Sequence, residues 1–188
     1  MKVCIFGASG AEIDKAYIEQ TEILGEKLAI NGHSLVFGGG KFGLMGAAAR
    51  GFTKGKGHIT GVIPNFFKDY DVIYDCDEFV WTENMRDRKK YMEDNSDAFI
   101  ITPGGIGTYE EFLEVLTLKQ LARLSKPIVI FNINGFFDKL LSVFDDNVRD
   151  GFIRKQTPEL FKVTDNIDEV ISVVENDSYD ITKIKFYD

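Results

Sequence analysis

The chain has 188 residues, of which 44% are hydrophobic and 28% are charged, and its formal net charge is −8. This length suits one core rather than two, and the acidic balance argues against nonspecific binding to nucleic acid or to an anionic membrane, which requires basic patches. No segment approaches the roughly 20 consecutive apolar residues of a membrane helix, so we expect neither nucleic acid nor a membrane as a partner.

The two cysteines, Cys4 and Cys76, are too few for a disulfide framework and have no neighbouring cluster that suggests a zinc site. The apolar run that begins the chain stops at Gly7 and is too short for a signal peptide. It is typical of a first strand, inside which Cys4 would be a buried, reduced thiol. These observations predict a cytoplasmic protein.

Strand-like and helix-like segments alternate along the chain. Short apolar or β-branched runs predict strands, and longer segments with apolar residues at helical spacing predict helices. In chain order we predict a strand at 2–6, a helix at 13–30, a strand at 34–37, a helix beginning at 44–50, a strand at 59–63, an irregular stretch at 65–78, a strand-like run at 79–81, a helix at 84–95, a strand at 98–101, a helix at 108–124, a strand at 127–131, a helix at 136–148, and a last strand and helix within 159–176.

Several of these strands are continuous apolar runs, which is the pattern of strands buried on both faces. The fold class we predict is α/β, a Rossmann-like open parallel sheet with helices on both faces in a single domain. We assign 1–178 to this domain and 179–188 to a C-terminal tail or edge strand. Ligands bind such sheets at the carboxyl ends of the strands, and three glycine-rich loops lie at those ends, at 7–10, 38–43 and 103–107.

The loop P-G-G-I-G-T at 103–108 joins an apolar strand to a helix. Glycines let backbone N–H groups approach a ligand closely, and the helix start adds unpaired N–H donors and a positive dipole end. The hydroxyl of Thr108 can cap the helix or donate to an oxyanion. The loop therefore favours a phosphate cradle, and a tight turn that binds nothing is the alternative.

Two adjacent carboxylates, Glu110 and Glu111, occupy the first turn of the helix that follows. Acidic residues there stabilise the helix dipole, which is the simplest interpretation. A carboxylate beside a bound phosphate also suits a group that activates water or contacts ribose hydroxyls. Because neighbours on a helix point about 100° apart, we expect at most one of the two to face a pocket squarely.

The loop at 38–43 satisfies G-x-G-x-x-G between a strand and a helix, a pattern that could mark a dinucleotide site. It follows the second strand rather than the first, however, and the next strand ends in V-I-P at 62–64, where a ribose-binding carboxylate should stand. We interpret the loop as a second wall of a nucleotide pocket, which disfavours a Rossmann oxidoreductase.

A basic cluster at 86–90 lies on the helix predicted just before the strand at 98–101. Met85, Arg88 and Met92 are three and four residues apart and share a helix face. That face places a guanidinium beside adaptable apolar surface, which suits an anionic ligand with a flat base. A solvated surface helix is the alternative.

The two histidines, His33 and His58, stand near predicted strand starts, at the edge opposite the glycine loops. We expect both to face solvent. No cluster of His, Cys and acidic residues has the spacing of metal ligands, so we expect no metal.

Together these segments resemble the Lonely Guy family, the cytokinin riboside 5′-monophosphate phosphoribohydrolases, whose members have often been labelled lysine decarboxylases. The family's motif P-G-G-x-G-T-x-x-E stands at 103–111, its M-x-x-R-K signature at 85–89, and its G-G-G-x-x-G-L-M-G stretch at 38–46. G-A-S at 7–9 stands where the family has a Gly-Ser-Ser-like turn. The departures are Ala8 and the extra tail.

The resemblance implies that Arg88 and Glu111 are the catalytic pair. It places the phosphate on the glycine loop that precedes Glu111 and makes Lys89 and Glu110 pocket contacts. Together with the loops and the helix face described above, the predicted substrate-binding residues are Ser9, Gly39, Gly40, Met85, Lys89, Gly104, Gly105, Gly107, Thr108 and Glu110.

The implied reaction is hydrolysis of the N-glycosidic bond of adenosine 5′-monophosphates, N6-modified or not, to free base and ribose 5-phosphate. Glu111 would stabilise the ribose cation and orient or deprotonate the attacking water, and Arg88 would hold the ligand or stabilise charge on the leaving base. No metal or organic cofactor is expected. Adenine and N6-prenylated adenine are both open as the preferred base, and a non-catalytic nucleotide- or cofactor-binding carrier of the same fold is the alternative function.

We also expect a homodimer, largely from the resemblance. The helix predicted at 108–124 carries more apolar residues than one buried face needs. An exposed apolar stripe of this kind usually marks an interface, and a centrally buried helix is the alternative.

Overall fold

Seven parallel strands form one sheet at the centre of the computed structural model, which describes residues 1–177. In chain order they are β1 (Lys2–Phe6), β2 (Ser34–Phe37), β3 (Ile59–Pro64), β4 (Glu78–Thr82), β5 (Ala98–Ile101), β6 (Ile128–Phe131) and β7 (Lys162–Thr164). Their spatial order is β4-β3-β2-β1-β5-β6-β7, and each neighbouring pair is parallel. The predicted open parallel sheet is confirmed.

Helices cover both faces of this sheet. They are α1 (Lys15–Ile30), α2 (Gly43–Lys54), α3 (Met85–Asp94), α4 (Ile106–Gln120), α5 (Asp138–Arg149) and α6 (Ile167–Asn176). Helices α1, α2 and α6 pack on one face, and α3, α4 and α5 pack on the other. In β1, Val3 and Ile5 belong to the first core and Cys4 and Phe6 to the second, which explains why the strand is apolar at every buried position. Across residues 1–177, no helix combines the length and apolarity needed to cross a membrane.

The clearest error in the predicted elements is the end of the helix expected at 108–124. Helix α4 stops at Gln120, and the backbone of Ala122 has a φ of 53°, which an α-helix cannot continue through. Leu124 still lies in the core, so the apolar pattern runs past the end of the helix. The predicted domain limit at 178 and the tail or edge strand at 179–188 lie outside the described residues.

The prediction that both histidines face solvent is wrong for His33. This residue is only 6% exposed, and its Nε2 lies 3.0 Å from Oε1 of Glu175 on α6. The contact joins residues 142 positions apart in the chain, which no local sequence pattern indicates. The side chain of His58 is 54% exposed, as expected.

The order of strands reverses between β1 and β5, which are neighbours in the sheet although β2, β3 and β4 lie between them in the chain. β1 leads towards α1 on one face, and β5 leads to α4 on the other. The loops that follow these two strands therefore diverge from one edge of the sheet. Such a switch point is where open α/β sheets form a ligand crevice.

Candidate active site

A cavity of about 570 Å³ lies at this switch point, between the loops that follow β1, β2 and β5. This volume is in the range of sites for small ligands. Backbone from the three glycine-rich loops, one apolar wall and a few polar side chains line the cavity. The polar side chains are Ser9, Arg88, Thr108 and Glu111.

The peptide groups of Ala8 tie the three loops together. Its N–H donates to the carbonyl of Pro103 at 3.1 Å, and its carbonyl accepts from the N–H groups of Leu44 at 2.8 Å and Met45 at 3.2 Å. Gly43 has a φ of +59°, and a Cβ there would overlap the Ala8 carbonyl, so only glycine allows this approach. The Ala8 departure from the family pattern leaves this backbone link intact, because no side chain takes part in it.

The N-terminus of α4 forms the anion-binding end of the cavity. Gly105 is the N-cap, and no side chain within 1–177 caps the helix there. The first-turn amides have no intrahelical partners, and Ile106, Gly107 and Thr108 line the cavity. Gly104 lies just behind this lining, where a Cβ would overlap the Thr108 hydroxyl. This turn can therefore hold an oxyanion with N–H groups and the positive end of the helix dipole.

Arg88 and Glu111 meet inside the cavity. Nη1 of Arg88, on α3, lies 3.2 Å from Oε1 of Glu111, on α4, and each side chain is only 9% exposed. The guanidinium is fixed by a hydrogen bond from Nε to the carbonyl of Val62 at 3.3 Å. It also passes so close to Gly38 that a Cβ on that residue would overlap Nη2. The glycine of the second loop thus makes room for the arginine.

Local sequence fixes where α3, the helix of Arg88, begins. Asn84 caps α3, because its side-chain oxygen accepts from the N–H groups of Arg86 at 2.9 Å and Asp87 at 3.0 Å. The cap fixes the start of the helix, and the spacing of residues along α3 then places Met85 and Arg88 on one face. Met85, one turn before Arg88, lines the cavity with its thioether sulfur 4.0 Å from Nη1.

Burial raises the pKa of the Glu111 carboxyl to about 7, and the Arg88 guanidinium is the largest influence that opposes this rise. A carboxyl with a pKa near neutrality exchanges readily between its charged and neutral forms at physiological pH. Such a group is suited to accept a proton from water during a reaction.

The structure brings most of the predicted substrate-binding residues into the cavity. Those that line it are Ser9, Gly39, Gly40, Met85, Gly105, Gly107 and Thr108. Gly104, Lys89 and Glu110 do not line it. Lys89 instead forms an ion pair with Glu110 on the outer side of the two helices, so of the adjacent carboxylates only Glu111 faces the cavity.

Sequence reasoning missed the apolar wall of the cavity. Much of it comes from the stretch at 65–78, which has no regular periodicity and was expected to be irregular. Backbone hydrogen bonds attach this stretch to the second glycine loop: Lys41 N–H donates to Val72, and Tyr74 N–H donates to Gly39, both at 2.8 Å. The wall consists of Phe42, Met45, Ile63, Phe67, Val72 and Ile73.

Comparison with protein families finds a match over residues 45–174 to a family described as "Possible lysine decarboxylase". Among curated proteins, the chain is 34% identical over 175 residues to cytokinin riboside 5′-monophosphate phosphoribohydrolase LOG5 of Arabidopsis thaliana, and the match covers 93% of this chain and 77% of that protein. It is also 34% identical over 176 residues to cytokinin riboside 5′-monophosphate phosphoribohydrolase LOG1 of the same plant. This match covers 93% of this chain and 83% of that protein.

Two solved structures share the fold at lower identity. The molybdenum cofactor binding protein of Rippkaea orientalis is 20% identical with a TM-score of 0.70, over 93% of this chain and 94% of that one. The molybdenum cofactor carrier protein of Chlamydomonas reinhardtii is 21% identical with a TM-score of 0.70, over 93% and 95%. At this identity the likeness supports the architecture alone.

Proposed function

The chain belongs to the Lonely Guy (LOG) family of cytokinin riboside 5′-monophosphate phosphoribohydrolases, and we propose how its cavity carries out that activity. It is an N-glycosidase, which hydrolyses the N-glycosidic bond of adenosine 5′-monophosphates, N6-modified ones included, and releases free base and ribose 5-phosphate. The observation that carries the proposed mechanism is that the buried Arg88–Glu111 pair and the uncapped start of α4 share one cavity.

The 5′-phosphate of the substrate binds at the first turn of α4. The amides of Gly105, Gly107 and the intervening residue supply N–H donors, and the hydroxyls of Thr108 and Ser9 are within the same lining. These groups are held by the loop links through Ala8, so they need little rearrangement when the anion arrives. Binding at this remote group can then be used to orient the bond that breaks.

The ribose lies beside Glu111. Breaking the bond between C1′ and the base nitrogen develops positive charge on the ribose ring, and the Glu111 carboxylate stabilises that charge. The same carboxylate orients a water molecule and takes its proton as the oxygen bonds to C1′. The electrons of the C1′–N bond leave with the base, which therefore becomes negatively charged. Arg88 stabilises this charge until the base takes up a proton.

The base lies against the apolar wall. Phe67, Val72 and Ile73 come from one segment, and the wall is continuous with Met85, which adjoins Arg88. Apolar side chains favour a flat base and leave room for an apolar N6 substituent. We therefore propose that this wall, rather than the phosphate loop, discriminates between adenine and an N6-prenylated adenine.

We propose a homodimeric and cytoplasmic enzyme. On α4, Leu113 is 43% exposed and Leu121 just beyond its end is 47% exposed, which supports contact with a second copy. Cys4 and Cys76 are free, buried thiols, as suits a reducing compartment. Light scattering tests the dimer: a mass near 42 kDa, about twice the 21.2 kDa chain, is expected, and a monomer at micromolar concentrations would contradict it.

The activity is tested by a product assay on a panel of nucleoside 5′-monophosphates with and without an N6-prenyl group. Chromatography should show free base from the adenosine nucleotides. Binding of nucleotide without release of base would instead support the carrier alternative. A higher kcat/KM of the wild-type enzyme for the nucleotide with or without the N6-prenyl group identifies the preferred base.

A further inference from the structure

Two sets of ion pairs lie side by side where α3 meets α4, one inside the cavity and one outside it. The inner pair joins Arg88 to Glu111. The outer set joins the next residue along α3, Lys89, to Glu110 and to Glu114, whose Oε2 lies 2.5 Å from the Lys89 ammonium nitrogen. We call Lys89, Glu110 and Glu114 the outer clamp. Each member of the inner pair is thus covalently adjacent to a member of the outer clamp.

We propose that Lys89 is a positioning residue, which holds α4 against α3 so that Glu111 stays beside Arg88, and that it does not bind the substrate. The inference rests on the proposed catalytic function of Glu111. Its geometric basis is that Lys89 is absent from the cavity lining, while its side chain is only 13% exposed and reaches two carboxylates on α4. The two carboxylates therefore hold the Lys89 ammonium group in place between the helices.

Charge explains why the clamp needs a cation. Glu110 and Glu114 lie four residues apart on α4, and Glu93 lies on the facing helix α3. Burial raises the pKa of Glu93, the charge of Glu114 raises it further, and the charges of Lys90 and Lys89 lower it. Without Lys89, the repulsion between Glu93 on α3 and Glu114 on α4 would be less compensated, which favours separation of the helices.

The clamp also contributes to the electrostatic surroundings of Glu111. The charged groups that act on this carboxyl are Arg88 and Lys89 from α3 and Glu110 from α4. The buried Cys4 thiol of β1 is in turn affected by Glu111, whose charge raises the pKa of Cys4. Burial raises the pKa of Glu111, the two cations lower it, and Glu110 raises it. Loss of Lys89 removes a favourable charge and leaves Glu110 uncompensated, so Glu111 should become harder to ionise.

The experiment compares K89M, which keeps the apolar stem, with K89R, which keeps the charge. K90M is the matched control, because Lys90 is the next residue on α3 and forms an ion pair with Asp94. Its charge acts on Glu93 but is not among the charges that act on Glu111. If the Glu111 midpoint rises by about one pH unit, kcat of K89M at pH 7 should fall about fivefold and recover by about pH 9. KM for the nucleotide should stay within about twofold of wild type, and K89R and K90M should behave as wild type.

A second measurement does not depend on turnover. Glutamate labelled with ¹³C at the side-chain carboxyl gives a resonance for Glu111 that E111Q identifies by its loss. Its titration midpoint should lie near pH 7 in the wild type, higher in K89M, and close to wild type in K89R. The triple variant K89M/E110Q/E114Q, which removes the repulsion together with the cation, should move the midpoint back towards wild type.

These readouts separate the two proposals. If the wild type releases no base, the hydrolase assignment fails, while the carboxyl titration still tests the clamp. A KM that rises tenfold or more in K89M with an unchanged kcat profile would show that Lys89 contacts the phosphate, and would overturn the positioning role. An unchanged Glu111 midpoint in K89M would overturn it as well.

Discussion

The two ends of the cavity are built in different ways. The phosphate end is made of backbone: a glycine loop, the start of α4 and the peptide of Ala8, all of which follow directly from strand ends. The base end is made of side chains, and part of it belongs to the stretch at 65–78. This stretch begins with a short 3₁₀-helix, Asn65–Phe67, in which Phe66 and Phe67 are 54% and 37% exposed. We therefore expect binding of the phosphate to depend on the first end and the choice of base to depend on the second, with Arg88 and Glu111 between them.

The largest expected effect follows from replacing Glu111 by glutamine. The substitution keeps the shape of the side chain and removes the charge that, in the proposed mechanism, stabilises the ribose cation and accepts the proton of water. We expect kcat to fall by at least about 10³-fold with nucleotide binding retained. The measurement is release of base, together with calorimetric titration of AMP. E19Q, an exposed charge change on α1, is the control; near-normal turnover in E111Q would remove Glu111 from the mechanism.

Adenosine lacks the 5′-phosphate of AMP, so it loses only the interactions at the phosphate end of the cavity. We expect kcat/KM for adenosine to be lower than for AMP by about 10²-fold or more, because the amides at the start of α4 have no anion to bind. Steady-state kinetics on the two substrates measure this ratio. Equal values would show that the glycine loop does not position the substrate.

The pH dependence of kcat reports on the Glu111 carboxyl. Burial raises its pKa to about 7, and the reaction needs the ionised form, so activity should rise with pH through this value and then level off. With one titrating group, kcat at pH 6 should be about tenfold below its plateau. A profile measured from pH 5 to 9 checks the sign, and activity that rises towards acid pH would contradict it.

The smallest effect is expected at the base end. F67A removes part of the apolar wall, and kcat/KM for an N6-prenylated AMP should fall about fivefold relative to AMP, in line with the modest discrimination that an apolar contact provides. F66A is the matched control, because Phe66 is the neighbouring ring and does not line the cavity. A parallel loss on both nucleotides would show that Phe67 does not select the base.

Sequence predicted the first end well because its information is local. A glycine loop between an apolar strand and a helix determines where α4, the helix of Glu111, begins. The i, i+3 and i+4 spacing of α3 places Met85 on the same face as Arg88. The second end could not be predicted, because Val72 and Ile73 line the cavity in a segment that pairs with the second glycine loop, with an antiparallel bridge between Gly40 and Ile73, and no local pattern indicates this pairing.

The direction of Lys89 was also beyond sequence reasoning. Lys89 follows Arg88 directly, but a rotation of about 100° per residue turns it to the outer side of α3. Which side of a helix faces the cavity depends on tertiary packing. The buried position of His33 under α6 was missed for the same reason, because its partner Glu175 is 142 residues away.

In the proposed mechanism, water attacks C1′ of a nucleotide whose phosphate is held by the start of α4. Hydrolysis of AMP and of an N6-prenylated AMP in H₂¹⁸O tests it most directly, with mass spectrometry of the products. We predict equal amounts of free base and ribose 5-phosphate, with one ¹⁸O on C1′ of the sugar and none in the base. Release of ¹⁸O-labelled inorganic phosphate with intact nucleoside, or recovery of unchanged nucleotide, would contradict the account.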